Sequence, residues 1–555
     1  MRQVAAHLTL PIKRALDSGV LTSTAVLSWS LHATFRLNIA YSIMPVDTEA
    51  LSRLAVTVGP SGRTLERNGE PFVLHMDTAW ELFHRLTLPE AEEYLDTRKA
   101  QGFNAVLAVA LTELDARGVN ECFGPDGALL SSTEGGGSIF HPNRYGMRPL
   151  LNDDPALPNA AYFSHVDAVI NAAAQRDIIV FLVPTWGRWV NEAWSGPPVL
   201  FNAEKARSYG AYIGKRYPHL PKVLGGDSNP IWTDVTAFRE RTAEAKARSG
   251  AANFDGLPIT DSTAVVDSMA EGILSAEPEA FLTYHPTALA LPGSPVPTAS
   301  AFFGDRKWLA LDACQSGHTD VEEPAFNPPL HFWDARASHV PLAQMWAAGK
   351  RPIIDLEGHY EDMRIGINPS ERPLWNEHDV RAGAWQAVCA GACGIVYGHN
   401  NVWQMHSPER EKLDGRFKSA CYPVPDLSWQ DALKAPGTRG TRVIAEYLAS
   451  LPREVHDTKA PAQDRLVSAA APAEVVQRDG RVDVIAAGSQ WLIAHSGHGY
   501  PFELDLSGFR GQARWLDPRS GEWSDAIAVE GGKQSFTPPS SGNVENDWVL
   551  EVKRA

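Results

Sequence analysis

Short apolar runs alternate with helix-patterned segments from about residue 71 to about residue 450. This alternation is typical of parallel strands that are joined by helical crossovers. Eight of the apolar runs have the length of a buried strand, and together they predict a (β/α)8 barrel, the TIM barrel, with insertions. The runs are Phe72–Met76, Ala105–Leu111, Ile178–Val183, Val223–Gly226, Phe281–Tyr284, Trp308–Leu311, Ile353–Leu356 and Gly394–Tyr397.

Helix signals stand between these runs. Pro89 and Glu90 are typical of a first helical turn, Gly102 of a helix end, and Asn159 of an N-cap. A doubly wound open sheet is the alternative fold, but the chain has no glycine-rich phosphate loop to support it. Further helices are predicted at residues 203–216, 262–274, 342–348, 377–389 and 429–451.

Beyond about residue 455 the pattern changes to short β-like runs separated by glycine-containing turns. This change predicts a small antiparallel β-sandwich after the barrel. The predicted runs are 481–488, 490–495, 502–506, 513–515, 526–529 and 548–552. We therefore divide the chain into a leader of unclear nature at residues 1–50, the barrel at residues 51–452 and the β-sandwich at residues 453–555.

Residues 20–44 of the leader are moderately apolar, but His32, Arg36 and Asn38 interrupt them. A membrane span needs roughly 20 mostly apolar residues, so none is predicted here. Basic residues precede the stretch as in a signal peptide, yet neither a clean apolar core nor a cleavage site follows. A periplasmic or secreted location is favoured over the cytoplasm, without a clear signal peptide.

Composition excludes several classes of function. The 555 residues carry a formal net charge of −16 and no dense Lys/Arg cluster, so nucleic acid is not an expected partner. The five cysteines lack metal-site spacing, and their odd number argues against a disulfide framework. The 17 tryptophans fit a sugar-binding cleft and ordinary core packing equally well.

Two carboxylates end apolar runs in a similar context. Asp227 follows two glycines after the fourth run, and Glu357 ends the seventh. The carboxyl ends of TIM-barrel strands line the active site, so these acids would face each other across the barrel mouth. Glycosidic cleavage uses two carboxyl groups on opposite sides of the sugar. We predict Asp227 and Glu357 as the catalytic residues, with Asp77 and Glu361 as rivals and a loop cap or ion pair as the structural alternative.

Polar and aromatic residues stand at the ends of the predicted strands, and we predict that they bind substrate, with core packing as the alternative for the aromatic ones. They are His75, Asp77, Trp80, Trp186, Asn229, His285, Gln315, His318, His359, Tyr360, His399 and Trp403. The histidines lack His-x-His and His-Glu-x-x-His spacing, so hydrogen bonding or pKa tuning of a carboxylate is favoured over a metal site. No nucleophile elbow stands at a strand end, and no cofactor or metal is expected.

Several segments resemble one known family in the right order. They are His75–His84, Tyr94–Asn104, Asn159–Phe163, Val183–Gly187, Leu224–Pro230, Gln315–His318, and Glu357 with Tyr360 and Glu361. Over about residues 65 to 450 the chain resembles the apiosidase-like glycoside hydrolases, glycoside hydrolase family 140. The resemblance implies cleavage of a bond to apiose in the side chains of the pectin rhamnogalacturonan II. It also implies Asp227 as acid/base and Glu357 as nucleophile.

The sequence around the seventh strand, Asp355–Glu361, departs from that of many relatives and leaves the sugar open. In the C-terminal region, Trp515–Gly521, Phe536–Pro539 and Asp547–Leu550 resemble the small β-domain that usually follows this barrel and is labelled collagen-binding. Packing against the barrel or loose contact with glycan is expected of that domain rather than collagen binding.

The resulting hypothesis is a retaining glycosidase that acts on a carbohydrate substrate through two carboxyl groups. Retention predicts a carboxyl separation of roughly 5–5.5 Å, and inversion roughly 6.5–9.5 Å. One alternative is another glycosidase specificity on the same barrel, such as an arabinofuranosidase. The other is a non-catalytic glycan-binding protein. The oligomeric state is open.

Overall fold

The computed structural model describes residues 45–116, 138–191, 198–233, 256–288, 297–318, 338–365, 373–472, 481–540 and 545–554, two short strands at 322–323 and 330–331, and isolated positions between 237 and 248. Most of the leader predicted at residues 1–50 therefore lies outside the described residues. Within those ranges, no helix has both the length and the apolar character to cross a membrane. The described chain forms a TIM barrel followed by an antiparallel β-sandwich.

The described chain begins with helix α1, Thr48–Leu54, where the Asp47 side chain accepts a hydrogen bond from the N–H of Ala50. A three-stranded antiparallel sheet follows, made of β1 Val56–Val58, β2 Leu65–Arg67 and β3 Glu70–Phe72. The sheet leads directly into the first barrel strand.

The barrel strands follow in chain order, with two short antiparallel strand pairs between them. They are β4 Leu74–Thr78, β5 Ala105–Val109, β6 Ile179–Val183, β7 Lys222–Gly225, the pair β8 Ile231–Thr233 and β9 Ile259–Asp261, β10 Leu282–His285, β11 Asp312–Gln315, the pair β12 Glu322–Glu323 and β13 Leu330–His331, β14 Ile353–Glu357 and β15 Gly394–Tyr397. Six strands pair in parallel in the order β10-β7-β6-β5-β4-β15, and β11 pairs in parallel with β14.

Single backbone hydrogen bonds join these two sheets into one ring. The N–H of Ala310, just before β11, donates to the carbonyl of Leu282 at 2.9 Å. The N–H of Cys393, just before β15, donates to the carbonyl of Ile353 at 2.9 Å. The predicted eight-stranded parallel barrel is therefore confirmed.

The sixth strand was predicted at the wrong position. Trp308–Leu311 forms the approach to the strand, and the strand itself is Asp312–Gln315. The carboxylate of Asp312 is buried and accepts a hydrogen bond from the N–H of Ser300 at 2.8 Å. A polar residue inside a buried strand hides it from a search for apolar runs.

Two crossover helices begin where the signals at Pro89, Glu90 and Asn159 predict. Thr87 and Glu90 form a capping box, and the Asn159 side chain accepts from the N–H of Ala161. The helix predicted at 429–451 is two helices, because the chain leaves the first at Ala432 and Pro436 precedes the second. The helices are α2 Leu82–Arg85, α3 Leu88–Ala100, α4 Ala160–Gln175, α5 Arg188–Asn191, α6 Ala203–Arg216, α7 Thr263–Ala276, α8 Ala299–Phe303, α9 Val340–Ala348, α10 Glu377–Cys389, α11 Asn400–Trp403, α12 Pro408–Leu413, α13 Trp429–Ala432, α14 Gly437–Ala449 and α15 Arg453–Thr458, with 3-10 turns at Leu151–Asp153 and Gln463–Arg465.

The C-terminal sandwich consists of two antiparallel sheets, in the orders β16-β18-β19-β24-β21-β22 and β17-β20-β23. Its strands are β16 Ala460–Pro461, β17 Leu466–Ala469, β18 Val482–Ala487, β19 Trp491–Ser496, β20 Phe502–Asp505, β21 Gly511–Leu516, β22 Ile527–Val529, β23 Lys533–Phe536 and β24 Trp548–Arg554. The sequence pattern missed β16, β17 and β23, because β16 is very short and most residues of β17 and β23 are exposed or half-buried.

The sandwich shares a buried core with the barrel. Trp385 of α10 and Ile444 of α14 belong to the same apolar cluster as Trp491 of β19. Two hydrogen bonds of 3.0 and 2.8 Å join the buried Arg381 guanidinium of α10 to the carboxylate of Asp547. The C-terminal domain therefore packs against the barrel, as expected.

Candidate active site

The fourth barrel strand ends in a left-handed turn that presents Asp227. Gly225, Gly226 and Asp227 have φ values of 73°, 148° and 46°. A Cβ on Gly226 would lie 2.7 Å from the Trp186 ring, and one on Gly225 would lie 2.6 Å from the Tyr284 ring, so neither position tolerates a side chain. Asp227 itself holds a conformation that costs a non-glycine residue about 1 kcal/mol or more. Such strain is typical of functional sites.

Glu357 is the last residue of β14, and two histidines face its carboxylate. His318 Nε2 lies 2.8 Å from Oε1, and His285 Nε2 lies 3.3 Å from Oε2. In the β11–β14 pair, Gln315 stands opposite Glu357, which brings the residues after β11 to the carboxylate. Three strands, β10, β11 and β14, thus assemble this cluster.

His285 also contacts the backbone of Asp227. The N–H of Asp227 donates to His285 Nδ1 at 3.4 Å. A ring nitrogen that accepts a hydrogen bond carries no proton, so in neutral His285 the proton sits on Nε2 and faces Glu357. One imidazole ring therefore connects the two predicted catalytic residues.

The environment of Glu357 favours its ionised form. Burial acts to raise the pKa of Glu357, but the contacts with His285 and His318 outweigh burial and lower the pKa to about 2. The carboxylate is therefore negatively charged across the range in which most enzymes work.

The environment of Asp227 favours the protonated form. Burial, followed by the negative charges of Glu357 and Glu113, raises the pKa of Asp227 well above its usual range. Hydrogen bonds with Thr287 and Gln315 oppose this rise without cancelling it. Two carboxyl groups whose pKa values are pushed in opposite directions are the arrangement that acid and nucleophile roles require.

Aromatic residues surround these carboxyl groups. The Trp80 ring lies 4.9 Å from the Trp186 ring and 5.6 Å from the His285 ring, and its Nε1–H donates to the Tyr360 hydroxyl at 3.1 Å. The Tyr360 ring in turn lies 4.3 Å from the His318 ring. The structure thus brings these five predicted residues together around Asp227 and Glu357.

His359 and Asn229 support the loops of the site. The His359 ring stacks on Trp375 at 3.9 Å, its Nδ1 lies 2.8 Å from the carbonyl of Gly317, and burial lowers its pKa to about 4. The side-chain oxygen of Asn229 accepts a hydrogen bond from the N–H of Thr287 at 3.3 Å. Both residues belong to the loops that carry the catalytic candidates.

His75 and Asp77 face away from the site, which corrects their assignment as substrate-binding residues. His75 Nε2 lies 3.1 Å from the Thr441 hydroxyl, and the Asp77 carboxylate lies 2.6 Å from Arg98 Nε. Alternate residues of a strand point to opposite sides, and these two residues share the outer face of β4. Their partners belong to the surrounding helices α14 and α3.

His399 and Trp403 have structural partners as well. His399 Nδ1 accepts from the N–H of Asn401 at 3.1 Å and caps α11, while its Nε2 lies 3.2 Å from Asp362. Trp403 Nε1–H donates to the Asn400 side chain at 3.1 Å. These contacts hold the helix that follows β15, and they do not support the predicted sugar contacts.

Sequence reasoning did not assign Thr287 or Glu113 to the site. Glu113 stands after β5, so its position at a strand end is the signal that could have found it. Thr287 follows the end of β10 by two residues, so the same signal applies to it, and the pairing of β10 with β7 brings it towards Asp227. Within the described residues, no group of three or more His, Cys, Asp or Glu side chains could hold a metal ion.

Two family models match the chain. The model described as "Apiosidase-like, catalytic domain" matches residues 60–454. A second model, named for a collagen-binding domain of a collagenase, matches residues 471–553. A comparison with curated proteins gives no match.

Solved structures share the fold of the whole chain. A protein named "Glycoside hydrolase" superposes with a TM-score of 0.66 at 23% identity, and the match covers 90% of this chain and 97% of that one. A glycoside hydrolase family 5 protein from Bacteroides vulgatus ATCC 8482 superposes with a TM-score of 0.65 at 24% identity, with coverage of 90% and 93%. At these identities the similarity shows the fold alone.

Proposed function

This chain belongs to the apiosidase-like family of glycoside hydrolases, and we propose that it cleaves a bond to apiose in the side chains of the pectin rhamnogalacturonan II. One arrangement carries the proposed chemistry: His285 contacts both Asp227 and Glu357, in surroundings that raise the pKa of Asp227 and lower the pKa of Glu357 to about 2. Family membership supports the choice of sugar.

In the first step, the protonated Asp227 gives its proton to the glycosidic oxygen. The ionised Glu357 attacks the anomeric carbon, the bond to the leaving oxygen breaks, and a covalent glycosyl-enzyme forms. His285 and His318 hold the Glu357 carboxylate in place and keep it charged until it attacks.

In the second step, water releases the sugar. Once Glu357 is an ester its negative charge is gone, so the pKa of Asp227 falls and Asp227 stays ionised. Asp227 then removes a proton from water, the water attacks the anomeric carbon, and Glu357 leaves as a carboxylate. The same coupling of charges thus serves both steps.

The aromatic residues Trp80 and Trp186 are suited to contact a sugar ring. Their flat apolar faces suit the C–H faces of a sugar ring, and Tyr360 is held beside them by the hydrogen bond from Trp80. Retention requires a carboxyl separation of roughly 5–5.5 Å in the complex with substrate.

The test is hydrolysis of rhamnogalacturonan II and of aryl glycosides by wild type, Asp227→Ala and Glu357→Ala, with products and anomers identified by NMR. We expect apiose release by wild type and a loss of several orders of magnitude in each variant. Azide should restore part of the Glu357→Ala activity and yield a glycosyl azide of inverted anomeric configuration. Asp362→Asn, a carboxylate change after the same strand, is the matched control.

A different sugar specificity is the second candidate, because the family model shows a glycoside hydrolase domain without fixing the sugar. Release of arabinose but not apiose would favour an arabinofuranosidase. Binding of glycan without any cleavage, with wild type and both variants equally inactive, would favour a non-catalytic protein and contradict the proposed chemistry.

A further inference from the structure

A short turn after β11, residues Ser316–His318, carries His318, and we call it the histidine turn. Its first residue, Ser316, is fully buried and binds both oxygens of one carboxylate. The N–H of Ser316 donates to Asp355 Oδ1 at 3.0 Å, and its hydroxyl donates to Asp355 Oδ2 at 2.6 Å. Asp355 lies in β14, two residues before Glu357. The strand that carries Glu357 therefore also holds the start of the histidine turn.

The second residue of the turn, Gly317, is bound to the same part of the chain. Its N–H donates to the carbonyl of Glu357 at 3.1 Å, and its carbonyl lies 2.8 Å from His359 Nδ1. Gly317 has a φ value of 78°, and a Cβ on it would lie 2.6 Å from the Cβ of Ala288. The left-handed backbone and the lack of space both require glycine here. The path of the histidine turn is thus fixed relative to β14.

The third residue, His318, depends on the turn for the direction of its ring. Its Nε2 lies 2.8 Å from Glu357 Oε1. In the part of the chain that the structure describes, its Nδ1 has no hydrogen-bond partner. A functional histidine is usually oriented by a hydrogen bond at its second ring nitrogen. His318 lacks that hydrogen bond, so the backbone of the turn has to aim the ring at Glu357.

Asp355 holds the turn without a cationic partner. Its side chain is buried, and among the described residues no Lys, Arg or His forms an ion pair with it. Burial also raises the pKa of Asp355. A buried carboxyl group without a cation costs free energy unless hydrogen bonds compensate it. The compensation that Asp355 has is the double contact with Ser316, so its place in β14 serves the turn.

We propose that Asp355 is a positioning residue that binds Ser316 and so holds His318 against the Glu357 carboxylate. The effect on catalysis rests on the proposed function, because it assumes that Glu357 is the nucleophile. Asp355 touches neither substrate nor the reacting atoms in this scheme. It acts through His318 alone.

The first test is a double-mutant cycle in kcat/KM. Asp355→Ala removes both contacts with Ser316, and we expect a loss of about tenfold, because a misplaced group near the reacting atoms is costly. Asp355→Asn should stay close to wild type, since its amide can still bind the N–H and the hydroxyl of Ser316. Asp355→Ala combined with His318→Asn should be no less active than His318→Asn alone. A double variant that shows the product of the two single losses would overturn the proposal.

The matched control is Asp312→Ala in β11. Asp312 is also a buried carboxyl group that binds a serine, because it accepts from the N–H of Ser300 at 2.8 Å. It has no contact with the histidine turn, so its effect should multiply with that of His318→Asn. If Asp355→Ala does not fold, Ser316→Ala removes only a hydroxyl and should show the same non-additivity with His318→Asn.

The second test needs no activity. In protein with nitrogen-15 in its histidine rings, a proton on Nε2 that is hydrogen-bonded to a carboxylate gives a downfield signal. The signal of His318 is assigned by its loss in His318→Asn, and that of His285, which faces Glu357 from β10, by its loss in His285→Asn. We expect the His318 signal in wild type and Asp355→Asn, and its loss in Asp355→Ala.

The His285 signal should persist in Asp355→Ala, because the N–H of Asp227 binds the other nitrogen of that ring. A His318 signal that survives in Asp355→Ala, or that is absent from wild type, would contradict the proposal, and so would the loss of both signals together. If wild type cleaves no substrate, the proposed function fails, and the two histidine signals still decide whether Asp355 positions His318.

Discussion

Two pairs of carboxyl groups lie within or just after strands of this barrel, and their surroundings differ. Asp227 and Glu357 stand at the mouth, whereas Asp77 and Glu361 stand in the wall between strands and helices. Both pairs come after or within apolar runs, so local sequence does not separate them. Their partners do.

The wall carboxyl groups have hydrogen-bond or ion-pair partners on neighbouring elements. Asp77 accepts from Arg98 Nε at 2.6 Å and from the Tyr94 hydroxyl at 2.5 Å. Glu361 accepts from the Tyr397 hydroxyl at 2.5 Å and from the N–H of Gly437 at 3.1 Å. Each carboxyl group therefore ties a strand of the barrel to a helix outside it.

The carboxyl groups at the mouth have partners of a different kind. In the part of the chain that the structure describes, no Lys or Arg forms an ion pair with Asp227 or Glu357. Their neighbours are histidines, amide and hydroxyl groups, and each other's charge. The carboxyl groups in the wall join strands to helices and so fix the geometry of the barrel. The carboxyl groups at the mouth are available to act on a substrate.

Removing the mouth carboxyl groups gives the largest expected effect. Asp227→Asn and Glu357→Gln should each lower kcat by about 10³-fold or more, because each removes a group that acts on the reacting atoms. The free energy of unfolding should stay the same or rise slightly, since functional residues are rarely optimal for stability. Steady-state kinetics and urea unfolding of the same preparations check this. A loss of several kcal/mol in the free energy of unfolding of either variant would show that these carboxyl groups stabilise the fold as Asp77 and Glu361 do, and would contradict the comparison.

Breaking the wall pair should do the reverse. Arg98→Met leaves the Asp77 charge buried without its cation, and we expect a loss of about 3–5 kcal/mol in the free energy of unfolding. The folded fraction should keep kcat within a few-fold of wild type. Lys99→Met, at the next residue and in an exposed pair 3.6 Å from Asp177, should cost less than about 1 kcal/mol. A catalytic defect without destabilisation would return Asp77 to the list of site residues.

The acid limb of the pH profile should depend on His318. The contact with His318 helps to lower the pKa of Glu357, so His318→Asn raises that pKa. Glu357 must be ionised to attack, and it loses its charge as the pH falls through its pKa, so the acid limb of kcat/KM moves to higher pH. The exposed His219→Asn serves as the control. An acid limb that does not move would assign the low pKa to another cause.

The alkaline limb should respond to Glu113, with the smallest effect. The Glu113 charge helps to raise the pKa of Asp227, so Glu113→Gln lowers it. Asp227 must be protonated to act as the acid, and activity is lost as the pH rises through its pKa. The alkaline limb of kcat/KM should therefore move to lower pH. A shift to higher pH would contradict the proposed role of this charge.

The local sequence predicted helices and strands correctly where buried residues recur with the period of a helix or a strand. Seven of the eight barrel strands, the first helical turn at Pro89 and Glu90, the cap at Asn159 and the main strands of the sandwich are visible as apolar runs or helix signals. It failed at Asp312 and in the exposed strands β17 and β23, where hydrogen bonding and edge position decide the structure. It also could not tell which face of β4 a polar residue occupies, so His75 and Asp77 were misassigned.

By itself the sequence determined the order of strands and helices, the glycine-lined turn that carries Asp227, and the presence of Glu357 at the end of a strand. Those features depend on residues close together in the chain. Only the tertiary structure decided which partner each carboxyl group has, and that His285 and His318 converge on Glu357. Such contacts join residues far apart in sequence, and their charges interact strongly only because folding removes the water between them.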